Sequence, residues 1–429
     1  MNDSVIFMSA YRATHYTRNF CPFVRKKDVK NLFKKYHISY FISDKNILSA
    51  TGSLKLKIEY DIFQKTKYSY LPLSAKQSLS DFKDLTEKNK FYIGLLHSYN
   101  ILADPTFFKM GGYINMESFL VHIGDQFYQI DPQIFTLNQT LIIAFEVIDC
   151  STGEPLSKNQ VLGLRENYNL LLPKGVRFFD EKDMMPSDMR ISEIIYRNVN
   201  SFFTELCGRR LETKEHLSVD DVLVLSEQIE NTSKYLCDLI GVTELQPSIM
   251  NISTTNNYCY YPQDGVSIIT TFSSENSNIA LYNGIVLESI KLSIYLFQRI
   301  VLDIDTKMNE IIKNDIYLES LFLVPNLPIE THNLLDYIYL TKSFQYNKKA
   351  IKLKLSYMTI KNEYQKNRNA ALLNVLIFFV SLLGTIGTLE TLENRFNIPF
   401  NSSLIVVLVI FSFLGIAWFI SEYKQNRHF

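Results

Sequence analysis

Four polar side chains interrupt an apolar stretch near the C-terminus, residues 369–389, which reads NAALLNVLIFFVSLLGTIGTL and carries no charge. They are Asn374, Ser381, Thr385 and Thr388. Amide and hydroxyl groups can hydrogen-bond water or a cation inside a bilayer, so one role that suits them is lining a conduction path. Small and hydroxyl residues also form contacts between membrane helices, and a plain helix–helix interface fits the same pattern.

Two membrane spans are predicted at the C-terminal end of the chain. The first stretch suits the ~20 apolar residues that cross a bilayer as a helix. A second uncharged run covers residues 396–421, with the core SSLIVVLVIFSFLGIAWFI. We therefore expect two transmembrane helices, at about 370–389 and 402–421, joined by a short outer loop and followed by a basic tail, residues 422–429.

The flanking charges predict the orientation of the two spans. Basic residues precede the first span (Lys361, Lys366 and Arg368) and follow the second (Lys424 and Arg427), whereas the loop between them carries Glu390 and Glu393. Because basic flanks stay on the cytosolic side, both termini are expected in the cytosol. Residues 1–368 then form a large cytosolic region.

A very long helix is predicted to lead into the first span. VPNLP at 324–328 is a helix breaker, and residues 329–388 contain no proline. At ~1.5 Å per residue, a helix over that range would be about 90 Å long, and it would need a partner surface. A second uninterrupted helix, over residues 279–323, is expected to pair with it in antiparallel fashion.

A line of heptad positions, called here the seam, runs along the predicted long helix. Its side chains are mainly apolar and aromatic before Asn367, and it becomes polar from Asn367 onward. No lysine of the segment lies on this line. A helix in water hides its apolar side against its neighbours, whereas a helix in lipid turns its polar groups inward. The pattern therefore predicts a homo-oligomeric bundle. The seam comprises Tyr346, Ala350, Leu353, Tyr357, Ile360, Tyr364, Asn367, Ala371, Asn374, Phe378, Ser381, Thr385 and Thr388.

The N-terminal region is predicted to be a mixed α/β domain, residues 1–278. Three runs are typical of strands, FYIGLL, FLVHIGDQFYQI and TLIIAFEVID, with turns expected at Gly111-Gly112, Asp131-Pro132 and Thr152-Gly153. Two helices are predicted, over MRISEIIYRNVNSFFTEL and over VDDVLVLSEQIENTSKYLCDLIGV with Ser218 as N-cap. NYCYYPQDGVSIITTF indicates a return to strands. Long helices follow over residues 279–368.

Composition and motifs exclude several functions. Acidic and basic side chains are equal in number, 44 of each, so direct binding to nucleic acid is not expected. The five cysteines are scattered, which disfavours a disulfide framework or a zinc site and favours reduced thiols. No phosphate-binding loop, dinucleotide fingerprint, nucleophile elbow or zinc-protease motif occurs, so we expect the protein not to be an enzyme.

The whole layout resembles the CorA family of divalent-cation channels, mainly over residues 281–429. The resemblance implies a homopentamer whose first span lines the pore. It places in the conduction path Asn367, Asn374, Phe378, Ser381, Thr385 and Thr388. The family signature Gly-Met-Asn is replaced by Gly387-Thr388-Leu389, and the acidic outer loop is reduced to Glu390 and Glu393.

Loss of the signature makes the chain similar to a divergent CorA branch, the membrane effectors found beside type III CRISPR systems. That resemblance implies a bacterial inner-membrane protein opened by SAM-AMP, a nucleotide second messenger made from S-adenosylmethionine and ATP. It also leaves a divalent cation as a candidate ligand. Such a nucleotide needs cations for its phosphate and aromatic faces for its adenines. Candidate ligand residues are Arg12, Arg18, Arg177, Phe178, Arg209 and Arg210.

Two other functions fit the same sequence. A housekeeping Mg²⁺ transporter would share the architecture, although it lacks the Gly-Met-Asn signature here. A non-conducting, membrane-anchored signalling protein would use the polar residues of the span only as helix contacts. Replacing Asn374, Ser381 and Thr388 with leucine separates the channels from the anchor, because only an anchor would keep its function.

Overall fold

The structure is a computed structural model of the chain. It describes residues 4–12, 29–43, 46–49, 52–55, 90–103, 110–137, 140–156, 171–178, 183–207, 217–227, 234, 251–255, 257–272, 277–303, 308–323, 327–396, 404, 405, 409 and 412.

A single mixed sheet organises the N-terminal part of the chain. Thirteen strands of the described segments join in the order β12-β13-β11-β1-β8-β7-β5-β2-β3-β4, with β6, β9 and β10 branching from β7. Neighbours are antiparallel except β11 and β13, which are parallel. The strands are β1 (Ser4–Arg12), β2 (Ile38–Ser43), β3 (Asn46–Ser49), β4 (Gly52–Lys55), β5 (Met110–Met116), β6 (Phe119–Ile123), β7 (Gln126–Leu137), β8 (Thr140–Asp149), β9 (Gly175–Phe178), β10 (Met185–Pro186), β11 (Ser218–Glu227), β12 (Tyr258–Tyr261) and β13 (Ser267–Thr271).

Helices cover both faces of this sheet and give two hydrophobic cores. The described helices are α1 (Val29–Lys35), α2 (Lys90–Leu102), α3 (Ile191–Cys207), α4 (Ser277–Leu302), α5 (Met308–Leu321), α6 (Ile329–Leu340) and α7 (Lys342–Phe396). One core contains side chains of α2, α4, α5 and α6, including Leu95 and Ile290, against the sheet. The other contains side chains of α1 and α3, including Phe33 and Phe202. The domain is therefore a three-layer α/β/α arrangement.

Strand β7 changes its partner where the sequence predicted a turn. Its first half pairs with β6 and its second half with β5, while β8 pairs along its whole length. The change falls at Asp131-Pro132, and Ser118 Oγ donates to Asp131 Oδ1 over 2.7 Å. Proline lacks the N–H that a ladder needs, so it marks a break in pairing without ending the strand. The turn predicted at Gly111-Gly112 is likewise wrong, since both glycines lie inside β5.

Two predictions of secondary structure are wrong: one predicted strand is a helix, and one predicted helix begins as a strand. FYIGLL belongs to helix α2, where Leu95, Tyr99 and Leu102 recur at helical spacing and are buried together. VDDVLVLSE is strand β11 and not a helix. Because β11 has helices on both faces, its apolar residues do not alternate cleanly, and such a run resembles a buried helix.

Other sequence-based predictions are confirmed. The strands over FLVHIGDQFYQI and TLIIAFEVID are β6, β7 and β8, and the turn at Thr152-Gly153 has Gly153 at a φ of 70°. MRISEIIYRNVNSFFTEL is helix α3, and the strands after residue 257 are β12 and β13.

Both predicted long helices are interrupted. The one expected over residues 329–388 breaks at Thr341, whose backbone is extended with φ −65° and ψ 141°. Thr341 Oγ1 donates to the Ile338 carbonyl over 2.7 Å, which ends α6, before α7 begins at Lys342. The one expected over residues 279–323 consists of α4 and α5. From residue 352 onward the described side chains of α7 are exposed or half-exposed.

The chain forms two compact units, Met1–Ile351 and Lys352–Phe429. The boundary predicted at residue 278 falls inside the first unit, because α4 packs directly on the sheet. Helix α7 continues through Phe396, so Glu390 and Glu393 lie on its last turns and not in a loop. The predicted second span, 402–421, lies outside the described residues except 404, 405, 409 and 412.

Helices α2 and α4 cross closely at Gly94, and this contact gives a stability prediction. A Cβ placed on Gly94 would lie 2.1 Å from Cε2 of Tyr282, so the ring would have to move. We expect Gly94→Val to lower the free energy of unfolding by about 1–3 kcal/mol, as overpacked cores do. Chemical denaturation checks this, with Asn100→Ala on the exposed side of α2 as a control that changes stability by less than about 0.5 kcal/mol.

Candidate functional site

The polar residues of the seam in the first predicted span, called here the polar line, are Asn374, Ser381, Thr385 and Thr388. They lie on a helix long and apolar enough to cross a membrane. Within the described residues one helix passes that test, over Lys342–Thr388. Asn374, Ser381 and Thr388 are exposed on it, whereas Phe378 and Thr385 are half-exposed. At about 100° per residue, the seam positions from 367 to 388 fall within an arc of about 100°.

The threonine hydroxyls of this line use their protons on their own helix. Thr385 Oγ1 donates to the Ser381 carbonyl over 2.7 Å, and Thr388 Oγ1 donates to the Thr385 carbonyl over 2.7 Å. A hydroxyl oxygen has two acceptor lone pairs, which these bonds leave unoccupied. The line therefore presents acceptor oxygens, and these suit water or a cation.

Large apolar side chains lie exposed along the water-side half of the seam. Tyr346 is 79% exposed, Leu353 72% and Tyr364 67% in the single chain. Tyr357 and Ile360 are exposed to a similar extent. Such a continuous apolar stripe at heptad spacing matches the buried interface of a coiled coil, and the surface suits another copy of the same helix.

Among the described residues, the predicted ligand residues lie on two separate strands of the sheet. Arg12 ends β1, whereas Arg177 and Phe178 lie on β9, with β8, β7 and β6 between the two strands. At ~4.8 Å per strand, about 19 Å of sheet separates β1 from β9. The other three candidates, Arg18, Arg209 and Arg210, lie outside the described residues.

Arg177 keeps an unused hydrogen-bond donor. Its Nε atom is buried and has no hydrogen-bond partner in the described part of the chain. A buried guanidinium N–H without an acceptor is costly, and an incoming phosphate oxygen could supply one. The ring of Phe178 stacks on that of His37, with centroids 3.9 Å apart. Arg177 is therefore the stronger of the two candidates.

A cluster of buried charges lies between α4 and the sheet, and it was not predicted. Nζ of Lys291 lies 2.7 Å from Asp221 Oδ2 and 2.9 Å from Glu288 Oε1, and the Lys291 and Glu288 side chains are fully buried. Nζ also donates to Ser267 Oγ over 2.7 Å, and Tyr260 donates to Glu288 Oε2 over 2.6 Å. The sequence carried one signal of it, since Glu288 and Lys291 are the only charges between residues 277 and 298.

The cluster's charges can be assigned from its geometry. Burial, and then the neighbouring Glu288 carboxylate, raise the pKa of Asp221 well above its usual value. Burial alone would lower the pKa of Lys291, but the Asp221 and Glu288 carboxyls raise it well above its ordinary range. Lys291 therefore stays charged, and the two acids together need only about one negative charge to balance it.

No metal centre emerges from the described ranges. They contain no group of three or more histidine, cysteine or acidic side chains placed to hold an ion. Comparison of the chain with family models, curated proteins and solved structures found no match. The similarity to CorA-like channels accordingly rests on the sequence features described above.

Proposed function

We propose that the protein is a ligand-gated ion channel of the bacterial inner membrane, acting as an effector of type III CRISPR antiviral defence. The observation that carries this proposal is helix α7. This helix of 55 residues carries an exposed apolar stripe and continues into an uncharged segment with a polar line. One surface of one helix thus suits self-association in water and contact with water inside lipid.

The proposed assembly is a homo-oligomer, a pentamer by resemblance, with α7 around its axis. The polar line then faces the axis, and Leu376, Val380 and Leu383 face lipid. These three side chains are 61%, 67% and 68% exposed, and at about 100° per residue they lie opposite Asn374. Phe378 is the proposed gate, because an apolar ring at a narrow point excludes water.

The proposed trigger is a nucleotide second messenger such as SAM-AMP bound to the cytosolic domain. Arg177 supports this choice of ligand class, since its buried Nε lacks a described acceptor. Bonds from a guanidinium to phosphate are strong and directional. In this scheme the closed state protects the cell, and opening lets ions leak.

Calorimetric titration of the detergent-solubilised full chain with SAM-AMP tests the trigger. We expect Arg177→Gln to weaken binding by about tenfold or more, because hydrogen bonds to charged groups contribute about 1.5–3 kcal/mol. Arg197→Gln is the matched control, since that arginine only pairs with Glu193 at the surface, 2.6 Å away. Equal affinities for the native chain and both variants would remove Arg177 from the ligand site, and absence of binding to the native chain would refute this trigger.

A further inference from the structure

One polar stripe crosses the otherwise apolar helix α4. Its members are Glu288, Lys291, Tyr295 and Gln298, at spacings of three, four and three residues. At about 100° per residue they lie within an arc of about 80°. Replacing a buried ion pair with apolar side chains is often neutral or stabilising, so stability alone does not explain such a stripe.

Lys291 of the stripe binds the tip of the β12–β13 hairpin. Lys291 Nζ donates to the Gln263 carbonyl over 2.7 Å, in addition to its bonds within the charge cluster. Asp264 follows directly, and Gly265 turns the hairpin with a φ of 91°. The buried lysine therefore fixes where the Asp264 carboxylate stands.

The hairpin tip in turn holds the first turn of α7. Asp264 Oδ1 accepts a hydrogen bond from Tyr295 over 2.8 Å, and Oδ2 accepts one from Ser343 Oγ over 2.7 Å. One carboxylate thus joins the stripe to the start of the long helix, two residues after the break at Thr341.

Gln298 holds the same turn of α7 from the other side. Its Nε2 donates to the Phe344 carbonyl over 3.4 Å, and its Oε1 accepts from Asn347 Nδ2 over 3.2 Å. The start of α7 is thereby attached to one face of α4 in two ways, through Asp264 to Tyr295 and directly to Gln298. Both Tyr295 and Gln298 belong to the polar stripe.

We propose that the β12–β13 hairpin tip is a latch that holds the start of α7 against the sheet domain, with the buried Lys291 cluster setting its position. The latch rests on the proposed function for its role in gating, since release of the first turn would free α7 to move relative to α4. The coupling passes through side chains that touch, and each link can be cut separately.

Hydrogen–deuterium exchange of the full chain in detergent tests the latch without any measurement of conduction. Asp264→Ala removes both bonds of the tip, and we expect the backbone amides of residues 345–348 to exchange about tenfold faster. Asp220→Ala is the matched control, because that carboxylate also accepts two side-chain bonds, from Ser9 over 2.6 Å and Arg190 over 3.0 Å. Asp220 lies on β11, next to Asp221, and within the described part of the chain its side-chain hydrogen bonds go to Ser9 and Arg190, away from the hairpin tip.

A second variant cuts the inner link. In Asp221→Asn/Glu288→Gln/Lys291→Met the cluster is neutral and keeps its shape, so the domain should fold while the Gln263 carbonyl loses its donor. The same faster exchange at residues 345–348 is expected. Unchanged exchange in this folded variant or in Asp264→Ala, or equal acceleration in Asp220→Ala, would overturn the latch. Because exchange does not depend on ion flux, failure of the latch and failure of the channel proposal are distinguishable.

Discussion

Lys291→Met is expected to lower the free energy of unfolding of the sheet domain by about 3–5 kcal/mol, the usual cost of leaving one side of a buried ion pair unbalanced. The substitution preserves length and apolar bulk but leaves Asp221 and Glu288 facing each other without a cation. Both carboxyl groups are buried, so water cannot replace Lys291. Urea denaturation followed by circular dichroism measures the change.

The loss should depend on pH with a definite sign. Without Lys291 the folded-state pKa of Asp221, already raised by burial and by the neighbouring Glu288 carboxylate, rises further above its unfolded value of about 3.9. The folded chain then binds protons that the unfolded chain has lost, so the variant is least affected below about pH 4. It loses stability as pH rises through the raised folded-state pKa of Asp221.

Two controls separate this effect from simple loss of a lysine. Lys348→Met removes a cation that pairs with Glu319 near the surface, 2.6 Å away, and should cost no more than about 1 kcal/mol. Adding Asp221→Asn and Glu288→Gln to Lys291→Met should restore most of the lost stability. A cost below about 1 kcal/mol for Lys291→Met alone would contradict the charge assignment of the cluster.

The triple substitution Asn374→Leu, Ser381→Leu and Thr388→Leu is expected to reduce ion conduction by about a hundredfold or more, because an apolar constriction dewets and closes to ions. Assembly should persist, since the apolar part of the seam, from Tyr346 to Tyr364, is unchanged. The measurement is ion release from liposomes, together with native mass spectrometry to confirm that the oligomer forms.

The opposite side of the same helix provides the control. Leu376→Ile, Val380→Ile and Leu383→Ile change three residues over the same turns and preserve their apolar character. Conduction should stay within about twofold of the native value, as lipid needs only an apolar surface. If the leucine triple conducts as well as this control, the polar line is a helix contact, and a membrane anchor becomes the better account.

The helix that carries the candidate pore was predictable because its pattern is local. Charges stop at Arg368, and the heptad spacing holds on both sides of that point, so composition alone defines the apolar segment. Helix α3 was predicted for the same reason, through the long amphipathic period of residues 189–206. Long periodic segments constrain the backbone strongly, whatever packs against them.

The errors in the sheet domain arise where the environment decides the element. Strand β11 and helix α2 are short apolar runs, and a run of that length fits either element until its neighbours are known. The helix break at Thr341 has no proline or glycine that would have predicted it. The Thr341 hydroxyl instead donates a hydrogen bond to the Ile338 carbonyl.

The charge cluster and the latch depend on contacts that no local pattern encodes. Asp221 lies 70 positions before Lys291, and their ion pair follows from the packing of α4 on β11. The ligand candidates were chosen by side-chain type alone, and the sheet then placed Arg12 and Arg177 on distant strands. A binding site assembled across a sheet is a product of topology, so sequence proximity is a poor guide to it.

Ion release from liposomes that contain the purified full chain tests the central claim most directly. Vesicles loaded with K⁺ and Mg²⁺ should stay intact until SAM-AMP is added, then release ions, and the leucine triple should remain silent under the same conditions. Vesicles that hold the oligomer and release neither ion after SAM-AMP is added would contradict the account. Mg²⁺ flux at the same rate with and without the nucleotide would also contradict it, in favour of a transporter.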